Sequence, residues 1–179
     1  MLIETNRLTL TNFRDSDSST IVRLAGDYAV AGQTSNVPHP YTEDIAVEWI
    51  RVLNGEIKNT SQITLGIRRS EDDVLIGCIS LININEIHSK AEVGYWLGKD
   101  YWGMGYCSEA LNALIRYAFV NLNLNRIEGR CMSKNERSAA TMMRCEMLFE
   151  GKRREDSRVR GELQDFSYYG ILKRDLGLQ

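Results

Sequence analysis

The sequence predicts an α/β domain in which a mixed, mostly antiparallel twisted sheet is flanked by helices. Segments of alternating apolar residues, typical of strands, are interleaved with segments whose apolar residues recur at helical spacing. Strand-like segments that follow each other across short polar turns indicate antiparallel hairpins. A strand that leads through a Gly-x-Gly turn into a helix and then another strand predicts one right-handed parallel crossover.

The first half of the chain predicts a strand, two helices and a hairpin. Leu8 and Leu10 alternate with polar neighbours in the first strand. After the loop that contains Pro38 and Pro40, Thr42 has the residue type that caps a helix, with acidic residues in the following turn. That helix has one apolar face, formed by Ala46, Trp49, Ile50, Leu53 and Ile57. The expected elements are a strand over residues 7–13, helices over 17–25 and from residue 43, and a hairpin of residues 63–67 and 74–84.

The second half predicts strands and helices in alternation. Its clearest helix has an apolar face formed by Leu111, Leu114, Ile115, Ala118, Phe119 and Leu122. The expected elements are strands over residues 91–97 and 126–132, helices over 108–122 and 135–148, and a closing antiparallel pair over 149–159 and 163–172.

Composition limits the classes of protein that this chain can be. Its 179 residues show no break in composition, so we expect a single domain over residues 1–179. The formal charge of −2 supplies no general attraction to nucleic acid or to anionic membranes. Four cysteines without a Cys-x-x-Cys pair, and only two histidines, do not predict a metal site. The N-terminus lacks the pattern of a signal peptide, so we expect a cytoplasmic protein with reduced thiols.

The turn at residues 101–111, YWGMGYCSEAL, carries the strongest chemical signal. Gly103 and Gly105 allow backbone conformations closed to other residues, and the free amides at the start of the next helix lie in a positive dipole field. A phosphate group fits such a turn, and the Ser108 hydroxyl is a further donor. Taken alone, however, two glycines before a helix also serve as a simple hinge.

Four motifs in the right order resemble the GNAT N-acetyltransferase superfamily, in particular its RimJ/RimL-type branch. The similarity covers nearly the whole chain. The matching residues are Glu4-Thr5-Asn6-Arg7-Leu8, Ala91 to Leu97 (AEVGYWL), Tyr101 to Tyr106 with Ser108-Glu109-Ala110, and Asn135-Glu136-Arg137-Ser138.

The resemblance implies a splayed sheet that holds acetyl-CoA between the strands ending near Leu97 and Met132, with direct transfer of the acetyl group to an amine. Asn135 is implied to contact the pantetheine arm from the second strand's side. The backbone of Tyr95, Trp96 and Leu97 is implied to bind the same arm. The pyrophosphate is implied to bind amides of Gly103, Met104, Gly105, Tyr106, Cys107 and Ser108.

A protein N-terminal α-amine is the acceptor that the RimJ/RimL resemblance favours. A small amine, such as an antibiotic, a polyamine or an amino acid, is the alternative within the same class. A CoA-binding sensor without turnover is the alternative from another class. The sequence does not fix the oligomeric state, and a homo-oligomer is compatible with it.

Three residues depart from the family pattern. Asp100 stands where Gln or Arg is common, so we expect pyrophosphate binding to depend on backbone amides. Met142 stands where other branches carry a tyrosine acid, which leaves Ser138 as the hydroxyl candidate. Glu146 stands where a glycine usually ends the helix, so we expect a different cap there.

Two residues are candidates for proton transfer. Ser138 could protonate the departing thiolate, or it could only cap its helix. Glu92 could take a proton from the incoming amine, or it could be a polar residue on the solvent face of its strand. Cys107 is better explained as a small residue facing the core than as a nucleophile.

Overall fold

A computed structural model describes residues 1–56 and 61–178. Its strands are β1 (Leu2–Glu4), β2 (Leu8–Thr11), β3 (Ile63–Arg69), β4 (Leu75–Asn85), β5 (Lys90–Leu97), β6 (Arg126–Met132), β7 (Leu148–Val159) and β8 (Glu162–Leu172). Its α-helices are α1 (Ser18–Ala25), α2 (Tyr28–Ala31), α3 (Glu43–Arg51), α4 (Tyr106–Val120) and α5 (Glu136–Arg144). Short 3₁₀ turns occur at Asp15–Asp17, Lys99–Tyr101 and Lys173–Leu176, and a π-helical turn, Val52–Glu56, follows α3.

The eight strands form one sheet in the order β1-β2-β3-β4-β5-β6-β8-β7. Every neighbouring pair is antiparallel except β5 and β6, which are parallel and are joined by the crossover through α4. The predicted fold class, a mixed and mostly antiparallel sheet with flanking helices, is therefore confirmed.

The parallel pair β5–β6 is joined over only part of its length. Four residues of each strand pair, from Lys90 with Arg126 to Val93 with Gly129. Beyond that point β5 continues to Leu97 beside β4, and β6 continues to Met132 beside β8. The sheet therefore opens into a gap between its two halves, as the predicted splayed sheet requires.

Helices cover both faces of the sheet. The buried face of α4 contains the predicted residues up to Phe119, whereas Leu122 lies beyond the end of the helix and is partly buried. This face packs with α5 residues on one side of the sheet. On the other side, Ala46 and Ile50 of α3 pack with α1 against β4. Ile57, assigned to the same apolar face as Ala46, lies outside the described residues.

The predicted helix over residues 135–148 is too long. It begins after Asn135 and ends at Arg144, and Leu148 is already the first residue of β7. Glu146 adopts φ 62°, and the amides of Glu146 and Met147 donate to the carbonyls of Met143 and Met142. This is the Schellman arrangement that a glycine normally completes, so the expectation of a different cap is wrong.

Among the strands and α-helices that the structure describes, two were not predicted at all. β1 and α2 contain three and four residues, too few to show a period, so the sequence pattern does not reveal them.

Candidate functional site

An open cavity of about 630 Å³ occupies the gap where β5 and β6 part. Residues of β4 and β5 line one side, and residues of β6, β8 and α5 line the other. The loop of residues 33–38, between α2 and α3, lines it as well. Most residues predicted from the sequence line this cavity: Glu92, Tyr95, Trp96, Leu97, Gly103, Gly105, Cys107, Ser108, Asn135 and Ser138.

The cavity passes through the sheet and joins its two faces. Successive side chains of a strand point to opposite faces. On β5, Tyr95 packs on the side of α4, whereas Trp96 packs on the side of α1 and α3. Glu92, an even number of residues from Trp96, shares its face. The two proton-transfer candidates are thus separated, because Glu92 lies on the α1–α3 side and Ser138 belongs to α5.

The backbone of β5 offers unpaired groups to the cavity. The Gly98 amide donates to the Ile76 carbonyl at the edge of β4. Because alternate residues of a strand turn their backbone groups to opposite sides, Tyr95 and Leu97 turn theirs towards the gap, where the β5–β6 ladder has ended. The indole Nε1 of Trp102 donates to the Leu97 carbonyl over 2.9 Å. The amide and carbonyl of Tyr95 remain for a bound ligand to pair.

The glycine turn has the backbone that a phosphate cradle requires. Gly103 and Gly105 have φ 77° and 80°, in the left-handed region that glycine favours. Gly105 is the N-cap of α4 and no side chain caps the helix. The first amides of a 15-residue helix therefore face the turn without side-chain competition.

Arg7 fixes this turn to the start of the chain. Its Nε donates to Glu109 over 2.7 Å, and its Nη1 donates to the Met104 carbonyl over 3.0 Å. The Thr5 hydroxyl donates to the same Glu109 carboxylate over 2.7 Å. The guanidinium also lies over the Tyr106 ring, 4.6 Å from its centre. The N-terminal motif thus has a physical role, which is to hold the glycine turn.

Met104 and Tyr106 are the two predicted residues that do not line the cavity. The Met104 side chain is about half exposed, and both residues contact Arg7 instead. Only their backbone amides can serve a bound phosphate.

Two cationic side chains of the cavity wall were not predicted from the sequence as site residues. Arg137 and Arg144 of α5 line the cavity, whereas Asp100 is exposed and does not. The Arg137 guanidinium lies over the Trp102 ring, 4.6 Å from its centre. Arginine is well suited to phosphate, so attraction for an anion does not depend on the backbone alone. The i, i+7 spacing on one helix face is the signal that could have indicated both residues.

Ser138 is not a helix cap. The Asn135 side chain caps α5 by accepting from the Ser138 amide over 3.1 Å. The Ser138 hydroxyl oxygen lies 3.0 Å from the hydroxyl oxygen of Tyr95, which also donates to the Ser138 carbonyl over 3.1 Å. Burial raises the pKa of Tyr95 well above its ordinary value, so the phenol stays protonated. A tyrosine hydroxyl, absent at Met142, therefore lies on β5 beside Ser138.

Glu92 lies in an ion-pair network on the α1–α3 face. It accepts from Arg130 Nε over 3.2 Å, and Arg130 also contacts Asp156 at 3.3 Å. The Tyr168 hydroxyl donates to Asp156 over 2.8 Å, which helps to hold the pKa of that carboxyl below its ordinary value. Glu92 is half-buried in the cavity wall and so does not occupy a solvent-exposed face. Its charge is balanced by Arg130.

Burial keeps the thiols of Cys107 and Cys145 near the cavity protonated. Burial raises the pKa of Cys107 well above its ordinary range and raises that of Cys145 to about 12. A thiol is a poor nucleophile when protonated, so nothing around Cys107 or Cys145 activates it to form an acyl-cysteine intermediate. Across residues 1–56 and 61–178, no group of three or more His, Cys, Asp or Glu side chains could hold a metal ion. No helix in that part of the chain is long and apolar enough to cross a bilayer.

Comparison with known proteins identifies the class of this site. The family model described as an acetyltransferase (GNAT) domain matches residues 7–148. The chain is 38% identical over 135 residues, 75% of its length and 70% of the relative's, to YdaF of Bacillus subtilis strain 168, provisionally named a ribosomal N-acetyltransferase. A solved GNAT-family acetyltransferase from Bacillus anthracis is 25% identical with a TM-score of 0.85, covering 97% of this chain and 99% of the other.

Other relatives differ in their named acceptors. The chain is 36% identical over 81 residues, 45% of each chain, to the ribosomal-protein-serine acetyltransferase of Escherichia coli K12. It is 30% identical over 99 residues, 55% of this chain and 57% of the other, to the spermidine N(1)-acetyltransferase of Vibrio cholerae O1. RimL, solved with coenzyme A, shares the fold at a TM-score of 0.86 and 20% identity, covering 96% of this chain and 98% of its own.

Proposed function

The chain belongs to the GNAT family of N-acetyltransferases, which use acetyl-CoA as donor, and we propose that its acceptor is the α-amine at the N-terminus of a protein. The relatives named for ribosomal proteins support this acceptor. An α-amine has a pKa of about 7.7–8.0, against about 10.4 for lysine, so much of it is neutral near pH 8. A site with only a weak base can therefore use it.

The observation that carries this choice is the charge of the cavity wall. Among the lining residues that the structure describes, Glu92 is the one acidic side chain, and Arg130 already pairs with it. The same wall contains Arg130, Arg137 and Arg144. A polyamine carries several positive charges and needs several carboxylates to replace its hydration. An N-terminal residue brings one amine and a neutral peptide chain, which suits this wall.

The proposed reaction is direct attack of the neutral amine on the thioester carbonyl. As the nitrogen–carbon bond forms, negative charge develops on the carbonyl oxygen, and the free amide of Tyr95 is the proposed donor for it. The carbon–sulfur bond then breaks, and the Ser138 hydroxyl is the proposed donor to the departing thiolate. The amine proton leaves on the opposite side of the sheet, where Glu92 is the proposed acceptor or orients a water that accepts it.

The pyrophosphate and the pantetheine arm of CoA are also assigned binding groups in this proposal. The pyrophosphate binds at the amides of residues 103–108, assisted by Arg137 and Arg144. The pantetheine arm runs along the unpaired backbone of β5, between Tyr95 and Asn135. The Arg7–Glu109 contact holds the phosphate turn in its binding conformation.

Thiol release from acetyl-CoA tests the acceptor. The panel contains a short peptide with a free N-terminal serine, the same peptide with a blocked N-terminus, and spermidine. We expect thiol release with the free peptide at a rate well above those with the blocked peptide and spermidine. Faster release with spermidine would assign the enzyme to small amines instead, and binding of acetyl-CoA without release in any sample would indicate a sensor.

A further inference from the structure

The loop of residues 33–38, here called the bridging loop, connects the two halves of the divided sheet. It leads from α2 into the Thr42 cap of α3, which packs on the β3–β5 half. Its Gln33 carbonyl accepts from the Asn135 side chain of the other half over 3.3 Å. All six of its residues line the cavity. The bridging loop therefore forms part of the wall on the α1–α3 side, where the acceptor must approach.

One arginine holds this loop from the far side of the gap. Arg160 lies at the tip of the β7–β8 hairpin. Its Nη1 donates to the Thr34 carbonyl over 3.0 Å, and its Nη2 donates to the carbonyls of Ala31 and Val37 over 2.6 and 2.9 Å. The three acceptors span the start and the end of the loop. A planar guanidinium with fixed donors can thus set the loop's curvature.

The backbone conformation of Arg160 indicates that the hairpin turn does not by itself explain an arginine at this position. Val159 pairs directly with Glu162, which leaves Arg160 and Gly161 as a two-residue turn. Their φ angles are 49° and 86°, the pattern of a type I′ turn, which favours Asn-Gly. A non-glycine residue without a short polar side chain is uncommon at such a φ. The turn alone does not favour arginine, and an unfavourable conformation held by the surrounding structure points to a function.

We propose that Arg160 is a positioning residue for the acceptor, and that it shapes the acceptor site by holding the bridging loop across the gap. This inference rests on the proposed transferase function. Arg160 touches neither reacting group in this account, and acetyl-CoA binds on the other face of the sheet. Loss of its side chain should therefore weaken acceptor binding and leave donor binding intact.

The test is Arg160→Asn, because asparagine suits the turn but is too short to reach the loop carbonyls. We expect the KM for the peptide acceptor to rise roughly tenfold or more, with kcat and the Kd for acetyl-CoA each changed by less than about threefold. The melting temperature should change little, because relief of the turn offsets the lost hydrogen bonds. Amide hydrogen exchange in residues 33–37 should become faster.

Two further variants sharpen the result. Glu155→Asn is the matched control, because Glu155 lies in the same hairpin, is exposed and has φ 50°, and it should leave acceptor KM unchanged. Arg160→Lys restores a charge with donors of different geometry, and its acceptor KM should fall between those of the wild type and Arg160→Asn.

Three outcomes would overturn the inference. They are an unchanged acceptor KM and unchanged loop exchange in Arg160→Asn, a lower melting temperature with a general loss of kcat, and an equal KM rise in Glu155→Asn. If the wild type acetylates no peptide, the proposed function fails, and loop exchange in Arg160→Asn still decides whether Arg160 holds the loop.

Discussion

Two hydroxyl groups from distant parts of the chain meet beside the expected position of the thioester sulfur. Tyr95 on β5 has one hydroxyl proton, which it can donate either to the Ser138 carbonyl or to the Ser138 hydroxyl 3.0 Å away on α5. A serine that accepts from a tyrosine keeps its own proton free for another acceptor. The pair can therefore present a hydroxyl donor to a thiolate while Asn135 alone caps the helix.

Replacing Ser138 by alanine tests its role in turnover. A donor that meets the thiolate stabilises the transition state much more than the bound thioester. We expect Ser138→Ala to lower kcat by roughly 10- to 1,000-fold, or about 1.4–4 kcal/mol, with acetyl-CoA affinity changed by less than about threefold.

Ser133→Ala is the matched control for that variant, because the Ser133 hydroxyl is also half-buried and pairs with Ser167 at 2.9 Å, outside the cavity. Its kcat should be normal. Steady-state kinetics and thermal unfolding on the same preparations separate the two. An unchanged kcat in Ser138→Ala would remove this serine from the mechanism.

The pH dependence of turnover tests the state of Tyr95. An acid contributes only while protonated, so its contribution is lost as the pH rises through its pKa. Because burial raises the pKa of Tyr95 well above 10, we expect no loss of kcat between pH 8 and about 10 at saturating acceptor. Tyr95→Phe should lower kcat by a similar factor across this range. A descending limb centred below pH 9.5 that disappears in Tyr95→Phe would contradict this assignment.

At the scale of single elements, the glycine turn before α4 is the feature whose backbone matters most. Gly105→Val should abolish the thermal shift produced by acetyl-CoA, because a β-branched residue disfavours φ 80° and its side chain obstructs phosphate approach. Far-UV circular dichroism should be unchanged.

Gly177→Val is the comparison for that variant. Gly177 also has a left-handed φ of 65° and free space around a Cβ, but it lies at the last turn of the chain rather than at the cavity. It should keep the ligand-induced shift. Normal CoA binding by Gly105→Val would show that the turn is not the phosphate site.

The end of α5 gives a prediction about stability alone. Glu146 is exposed and holds the left-handed position of a Schellman motif, which costs a residue with a Cβ roughly 1–2 kcal/mol. Glu146→Gly should therefore raise the free energy of unfolding. The expected gain is only about 0.5–1 kcal/mol, because glycine also increases the conformational entropy of the unfolded chain. Chemical denaturation measures this, and a loss of stability would contradict the cap.

The periodicity of apolar residues predicted long elements with one buried face well, as α4 and the β3–β4 hairpin show. It failed at short elements such as β1 and at the boundary where α5 ends, because Glu146 is not a residue type that signals a left-handed cap. Residue propensities predict glycine or asparagine at a left-handed helix end, whereas Glu146 occupies that position in α5.

At the scale of the whole molecule, the roles of Arg7 and Arg160 arise from contacts between distant segments, which the sequence does not reveal. Arg7 meets Glu109 102 positions away, and Arg160 meets Ala31 129 positions away. No periodicity connects such pairs. The glycine turn could be predicted because its chemistry lies within one short segment.

Ligand binding should be visible in global stability. In the proposed donor site, acetyl-CoA contacts both halves of the divided sheet, so we expect it to bind the folded chain only. At 100 times its dissociation constant it should add about 2.7 kcal/mol to the free energy of unfolding, seen as a higher melting temperature. The shift in melting temperature with dephospho-CoA, which lacks the 3′-phosphate, compared with the shift with CoA at the same concentrations, measures the contribution of that phosphate to binding. The absence of any shift at millimolar acetyl-CoA would exclude the proposed donor site.

We propose that the gap between β5 and β6 brings acetyl-CoA from one face of the sheet to an N-terminal amine on the other. The most direct measurement uses a peptide that carries both a free N-terminal serine and an internal lysine. After incubation with acetyl-CoA, fragment mass spectrometry locates the acetyl group. We predict acetylation at the α-amine and little at the lysine, whereas transfer mainly to the lysine, or to neither amine, would contradict the account.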